Sequence, residues 1–496
     1  MSGSSADVAV VGNGVLGLSV ALEVARRAPE LRVVVIGPPG REAAAGAAAG
    51  AMLNCFGEVT HRTGRHPATR AKFALARDAL DAWPAWLDRL ADDAGPQEGE
   101  AASRSHVPGT FVLLGAGSGT IATANFTALR QALLEHGEPH DLVGPDDVPG
   151  LVPAPRARPF EVVHLRREGC VDARAVLAAL AAAVHRLGVR TVPGTVREVL
   201  VSAGAVRGVR FADGGALTAG AVVLAAGSRS GELAGAALPP GAVPPVLHGA
   251  GSALLTRRTR PGGAGQVIRT PNRAAGCGVH LVPLPGTGRQ YVGATNFITC
   301  HRPDGPPVGS AETLIHAVRE EIDQSVAASR LTGWLWGTRP ITLDGLPLIG
   351  PCPVEGLLIA TGTYRDGFHC SPVIARQLAA RLLDPAAVPD EHLAWFAPHR
   401  APIQTTTVEH SVEETVAHAV ESAREHGLAL PFFLDEEPVA AYVRHHARRL
   451  HERLGHSLAL PPEIMWLAFI LAARGDGPDP AGPLADYLRA ARAHHG

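Results

Sequence analysis

A chain of 496 residues has room for about three domains and for a core that can enclose a sizeable ligand. With 46% hydrophobic and 19% charged residues it belongs to the globular class. Its 45 basic and 47 acidic side chains leave a formal net charge of −2, which excludes a charge-driven case for nucleic acid or an anionic membrane as partner.

Only Lys72 among the basic residues is a lysine, so a single arginine is a weak functional marker in this chain. Six cysteines, none in a CxxC pair, give neither a disulfide framework nor a zinc ribbon, and no metal site is expected. The N-terminus has no basic segment ahead of an apolar stretch, so no signal peptide is read. The apolar run 465–473 falls far short of the roughly 20 residues of a membrane span. The chain is therefore expected to be cytoplasmic.

Asp7 to Val11 is a short β-branched run of the kind that forms a buried parallel strand. GNGVLG follows, then a helical pattern from Leu16 to Ala25 stopped at Pro29, then a second strand from Arg32 to Ile36. Strand, glycine turn, helix and strand is the unit that binds a dinucleotide. Gly12 allows the tight turn, Gly14 lets the backbone approach a pyrophosphate, and Gly17 lets helix and strand pack closely; Val15 and Leu16 open the helix. Glycine fills 56 positions, so the order of elements carries this reading and the spacing alone does not. The second strand ends in Gly37-Pro38-Pro39-Gly40-Arg41 without the usual acid for the ribose, leaving backbone and water or the later Glu42 to hold it.

The run 43–53 is nearly free of side chains before Met52. It reads either as a backbone lying against a flat ring or as an alanine-rich helix or linker. Pro96–Ser105 reads as a flexible loop. Asp172 is placed as the N-cap of a helix carrying Val176, Leu177, Leu180 and Val184. Short strands follow at 189–192, 196–201 and 206–211, and Val222–Leu224 runs into Ala225-Ala226-Gly227. In the strand 279–282, His280 faces away from Val279 and Leu281; it either points into a site or is a satisfied strand histidine. Tyr291 and Asn296 are lesser candidates of the same region.

Together with RPITLDGLPLIGP (339–351) and ATGTYRDGFHCSP (360–372), the ordered set resembles the FAD-dependent D-amino-acid oxidase superfamily, closest in pattern to its glycine oxidase and sarcosine oxidase branch. The resemblance runs from about residue 6 to 398. It implies an α/β fold: a Rossmann-like FAD-binding domain (1–85, 150–231 and 336–398) and an antiparallel β-sheet substrate domain (86–149 and 232–335). It implies cofactor contacts from Gly12, Gly14, Val15, Leu16 and Gly17, from Ala49, Gly50, Ala51 and Met52, and from Val196, Ala226 and Gly227. Gly362, Tyr364, Arg365, Asp366, Gly367 and Phe368 match the loop that wraps the flavin's pyrimidine end, whose main-chain N–H groups stabilise charge on the reduced ring. Arg339 matches the arginine that pairs with a substrate carboxylate, and Arg365 a second arginine facing the site. With His280 and Tyr364 they make up the expected catalytic set. No cysteine stands where the sarcosine-oxidase branch tethers its flavin; Thr338-Arg339-Pro340 is found there and Cys352 lies past it, so FAD is expected to be non-covalent.

From about residue 400 the resemblance stops and an α-helical module is expected through 496. Helices are predicted from Ser411, with Glu414 completing a capping box, over 438–454 and over 463–473. His445, His446, His451 and His456 are spaced poorly for one metal and are expected on a solvated face. Contact with a second copy of the chain and cover over the active site are the two roles open to the module. The activity implied is oxidation of an amino acid or N-substituted glycine by hydride transfer to the flavin, with oxygen or another carrier as acceptor. Oxidation of a 2-hydroxy acid or polyol, and a non-catalytic flavin-binding subunit, are the alternatives.

Overall fold

The valine-rich opening run forms a central buried strand. In the computed structural model, which describes residues 5–259, 262–274, 276–425, 427–428, 430–431, 435–467 and 481–495, Ser5–Val11 lies parallel to Val33–Gly37 on one side and Ala216–Leu224 on the other. Arg190–Pro193 and Leu357–Thr361 extend this parallel core, with Leu348–Pro351 and the hairpin Val196–Ser202 and Ala205–Phe211 completing eight strands. Helices Val15–Arg27, Pro67–Ala94, Ala173–Arg186 and Ser371–Leu383 cover one face and share its largest apolar core. The Asp172 cap is present, its carboxylate accepting from Arg174 N at 2.9 Å.

A second, ten-stranded and mainly antiparallel sheet stands against the first. Its spine is Val246–Arg257, paired with Arg330–Thr342 and Arg289–Gly293. Pro159–Cys170 falls inside the span assigned to the cofactor domain, yet it pairs with Val107–Gly115 in this second sheet. The expected loop at 96–105 is instead the helix Pro96–Arg104. Proline at its first turn starts it, and the small residues Gly99 and Ala102 let it lie close on Pro67–Ala94; a Cβ on Gly99 would sit 2.2 Å from Ala91 O. Such contact needs no large apolar residue, so no periodicity announced it.

The module beyond 400 is helical: Val408–Glu425, Glu437–Arg453, the helical residues 462–467, and Ala481–His495, the last of which was not anticipated. The remainder of the helix expected at 463–473 lies outside the described residues. The capping box is corrected. The first helix begins at Val408, where Thr407 Oγ1 accepts from His410 N, and Ser411 is buried inside it, donating to Leu460 O. His451 is corrected too: it is fully buried, bonding Ala447 O through Nδ1 and accepting from Leu460 N through Nε2, whereas His445 and His456 are exposed.

Three acids of Val408–Glu425 bind the module to the body. Glu414 takes His61 at 2.8 Å and Arg62 at 3.2 Å. Glu421 takes the Thr120 hydroxyl and Ile121 N, both at 2.9 Å, at the start of helix Thr120–Glu135, where an acid complements the helix dipole. Glu425 takes Arg273 at 3.5 Å. Among the described residues no helix is long and apolar enough to cross a membrane.

Candidate active site

A cavity of about 570 Å³ opens between the sheets, beginning at the turn after Ser5–Val11. Gly12 has φ +122, and a Cβ there would lie 2.2 Å from Ala225 O; on Gly17 it would lie 1.9 Å from Gly12 O. On Gly14 it would meet nothing within 4 Å. Two glycines thus permit backbone crossings, and the third leaves open space at the mouth of helix Val15–Arg27. That helix has no side-chain cap and no acid in its first turn, so its free N–H groups suit a phosphate. Asn13 Nδ2 donates to Pro38 O and Arg41 Nε to Asn13 O, each at 2.8 Å, folding the segment after the second strand over the turn. Glu42 lines the wall there, as do Thr195 and Val196.

The alanine-rich run is neither helix nor linker. Ala44 bridges to Thr338, the segment closes through turns, and Ala49, Gly50, Ala51 and Met52 line the cavity opposite Ala226 and Gly227. Tyr291 Oη donates to Ala48 O at 3.1 Å, and a Cβ on Gly50 would come within 2.9 Å of the Tyr291 ring. Among the described residues six non-glycines have positive φ, and four of them, Arg41, Ala43, Ala51 and Tyr364, line this cavity. Left-handed backbone is costly for residues with a Cβ and concentrates where a site imposes it. Tyr364, Arg365, Asp366, Gly367 and Phe368 line the far wall; Gly362 and Gly17 sit behind the surface.

At that far end four expected side chains converge: His280, Arg339, Tyr364 and Arg365. His280 lies parallel to Tyr291 with centroids 5.8 Å apart and bonds Gly278 O at 3.1 Å. Burial, with the nearby charge of Arg269, holds its imidazolium pKa down at about 3, so the ring is neutral. Arg339 donates to Thr295 O at 3.0 Å and Asn296 Oδ1 at 3.5 Å, in space left by Gly251. No carboxylate among the described residues makes an ion pair with it. Arg365 lies over the Tyr364 ring at 5.1 Å, donates to Asn272 Oδ1 at 3.1 Å, and approaches Glu58 at 3.5 Å and Glu463 at 4.0 Å.

Sequence reasoning missed Glu58, which binds Arg269 at 2.7 Å. Burial would raise its carboxyl, but Arg269 and Arg365 hold it down at about 2. It also missed Asn54 and Cys277 on the cavity wall; Asn54 Oδ1 and Tyr364 Oη are buried there without a hydrogen-bond partner. Cys352 is buried away from the cavity. The only grouping of metal-ligating side chains found among the described residues, His399, His494 and His495, lies outside it.

The uncapped helix start, the open space at Gly14 and the near side-chain-free wall fit a dinucleotide carrying a planar ring. Comparison with known proteins agrees. The bifunctional protein ThiO/ThiG of Synechocystis sp. is 28% identical over 405 residues, covering 80% of this chain and 54% of that protein. The chain thus spans about half the length of the first curated relatives it matches. The glycine oxidase of Geobacillus kaustophilus is 28% identical over 381 residues, covering 74% of this chain and 90% of that one. The crystal structure of glycine oxidase from G. kaustophilus superposes with TM-score 0.67 at 24% identity, over 80% of this chain and 99% of the other. Iminodiacetate oxidase from Chelativorans sp. gives 0.63 at 18% identity, over 80% of this chain and 100% of the other. Residues 7–381 match the family described as DAO, FAD dependent oxidoreductase, and the chain belongs to that family of FAD-dependent flavoproteins.

Proposed function

We propose that this chain oxidises the C–N bond of an amino acid or N-substituted glycine. Bound FAD supplies a hydride acceptor for the C–H bond beside the substrate nitrogen; the imine so formed takes up water and releases a carbonyl compound and an amine or ammonia. The observation that carries this reading is Arg339, a cavity-lining guanidinium whose partners are carbonyl oxygens and not carboxylates. A planar fork in that state suits a substrate carboxylate and fixes the direction of the rest of the molecule. Neutral His280, Tyr291 and the buried face of Tyr364 line the same space and limit water beside the reacting carbon.

The substrate needs no strong protein base if its nitrogen enters unprotonated, and His280 is neutral without being a strong base. Incubation of holoprotein with glycine, sarcosine and larger amino acids, assayed for 2-oxo acid or glyoxylate together with released amine, tests the reading. Product from at least one of them supports it. Turnover confined to 2-hydroxy acids would replace it with the hydroxy-acid alternative.

A further inference from the structure

The module beyond residue 400 lies outside the segment matched by the family, yet its contacts end at the candidate active site. Tyr364 belongs to one continuous apolar core with Ile341 and Leu343 of the body and Val412, Leu450, Leu460 and Ile464 of the module, so the module's core reaches a residue that lines the cavity. Glu463 lies 3.7 Å from Arg62 and 4.0 Å from Arg365. Burial would raise its carboxyl, but these two guanidinium groups outweigh that and keep it ionised.

We propose that the module completes the active site, with Glu463 as a positioning residue that neutralises Arg365 and leaves Arg339 as the receptor for a substrate carboxylate. This rests on the reading of the site given above. Arg62, Arg269 and Arg365 face Glu58, Glu414 and Glu463 through a connected set of ion pairs, three guanidinium groups against three carboxylates, with the buried Glu168 beside Arg269 raised to about 7 by burial. Arg339 stands outside it. A buried guanidinium without its counter-charge would compete for any carboxylate entering the cavity, and two competing forks would leave the reacting C–H bond in more than one place.

The test uses holoprotein and acetate as the probe, read by the change in flavin absorbance on binding, with turnover measured separately. Glu463→Gln keeps the shape and removes the charge. Acetate is expected to bind about fivefold tighter while turnover falls, and Glu463→Asp to restore both. Arg62→Met removes a cation from the same set and is expected to weaken acetate by a similar factor. Opposite signs in the two variants identify an electrostatic role; a purely structural role would move both the same way, or lower only thermal stability. Equal, parallel or absent effects on acetate overturn the proposal, and Arg62→Met decides it if the Glu463 variant fails to fold. Failure of the functional reading is recognised separately, by acetate binding that does not change in Arg339→Met.

Discussion

Arg339 and Arg365 line one cavity, but only Arg365 meets carboxylates, Glu58 at 3.5 Å and Glu463 at 4.0 Å. A charged hydrogen-bonded pair with substrate is worth about 3 kcal/mol, or roughly 100-fold. Arg339→Met is therefore expected to raise the KM of a carboxylate-bearing amine by about that factor, with flavin content unchanged. Steady-state kinetics beside the flavin absorbance of the same preparation checks it.

The glycines of the first turn separate two roles. Gly12→Ala puts a Cβ 2.2 Å from Ala225 O at φ +122, and loss of folded protein is expected. Gly14 has φ −79, and its added Cβ touches no protein atom within 4 Å. Gly14→Ala should leave the apo-protein's melting temperature unchanged and weaken FAD at least about tenfold, because the added methyl occupies the phosphate approach. Calorimetry of apo-protein with flavin titration distinguishes the two.

Gly251 has its own consequence. A Cβ there would lie 2.1 Å from Arg339 Nη1, so Gly251→Ala must displace the guanidinium. We expect a rise in KM of about tenfold, smaller than for Arg339→Met, with little change in stability. A KM equal to that of the unaltered protein would mean that the position of this fork does not govern affinity.

Glu414 makes module docking acid-sensitive. Burial would raise its carboxyl, but the His61 hydrogen bond and the Arg62 charge lower it from 4.5 to about 2. A depressed carboxyl stabilises the fold fully above the free value and loses that contribution as pH falls through the folded value. The expected loss is about 2 kcal/mol between roughly pH 5 and pH 2. Urea midpoints across that range should fall less steeply in Glu414→Gln.

Local signals were legible in the sequence because the chain itself enforces them. The role of Gly17 follows from a crossing with Gly12 O inside the first turn, and Asp172 caps its own helix, whereas the crossing at Gly12 is with Ala225 and is set by the strand order. Arg339 and Arg365 were placed by their position in ordered signatures; arginine type alone carries little weight among so many. Glu58 was not legible, since its partners Arg269 and Arg365 are brought to it by two different parts of the fold. Glu463 was hidden for the same reason, and Ser411 misled because a serine followed by Glu414 resembles a cap although both side chains are spent on tertiary contacts.

The most direct test is anaerobic titration of the holoprotein, followed at the visible flavin band, with sarcosine or another amino acid that turns over and with its carboxylate-free amine. The account predicts that the amino acid bleaches the band, that the simple amine does so only at far higher concentration, and that Arg339→Met erases the difference. Bleaching by neither compound, or equally by both in the unaltered protein, would contradict it.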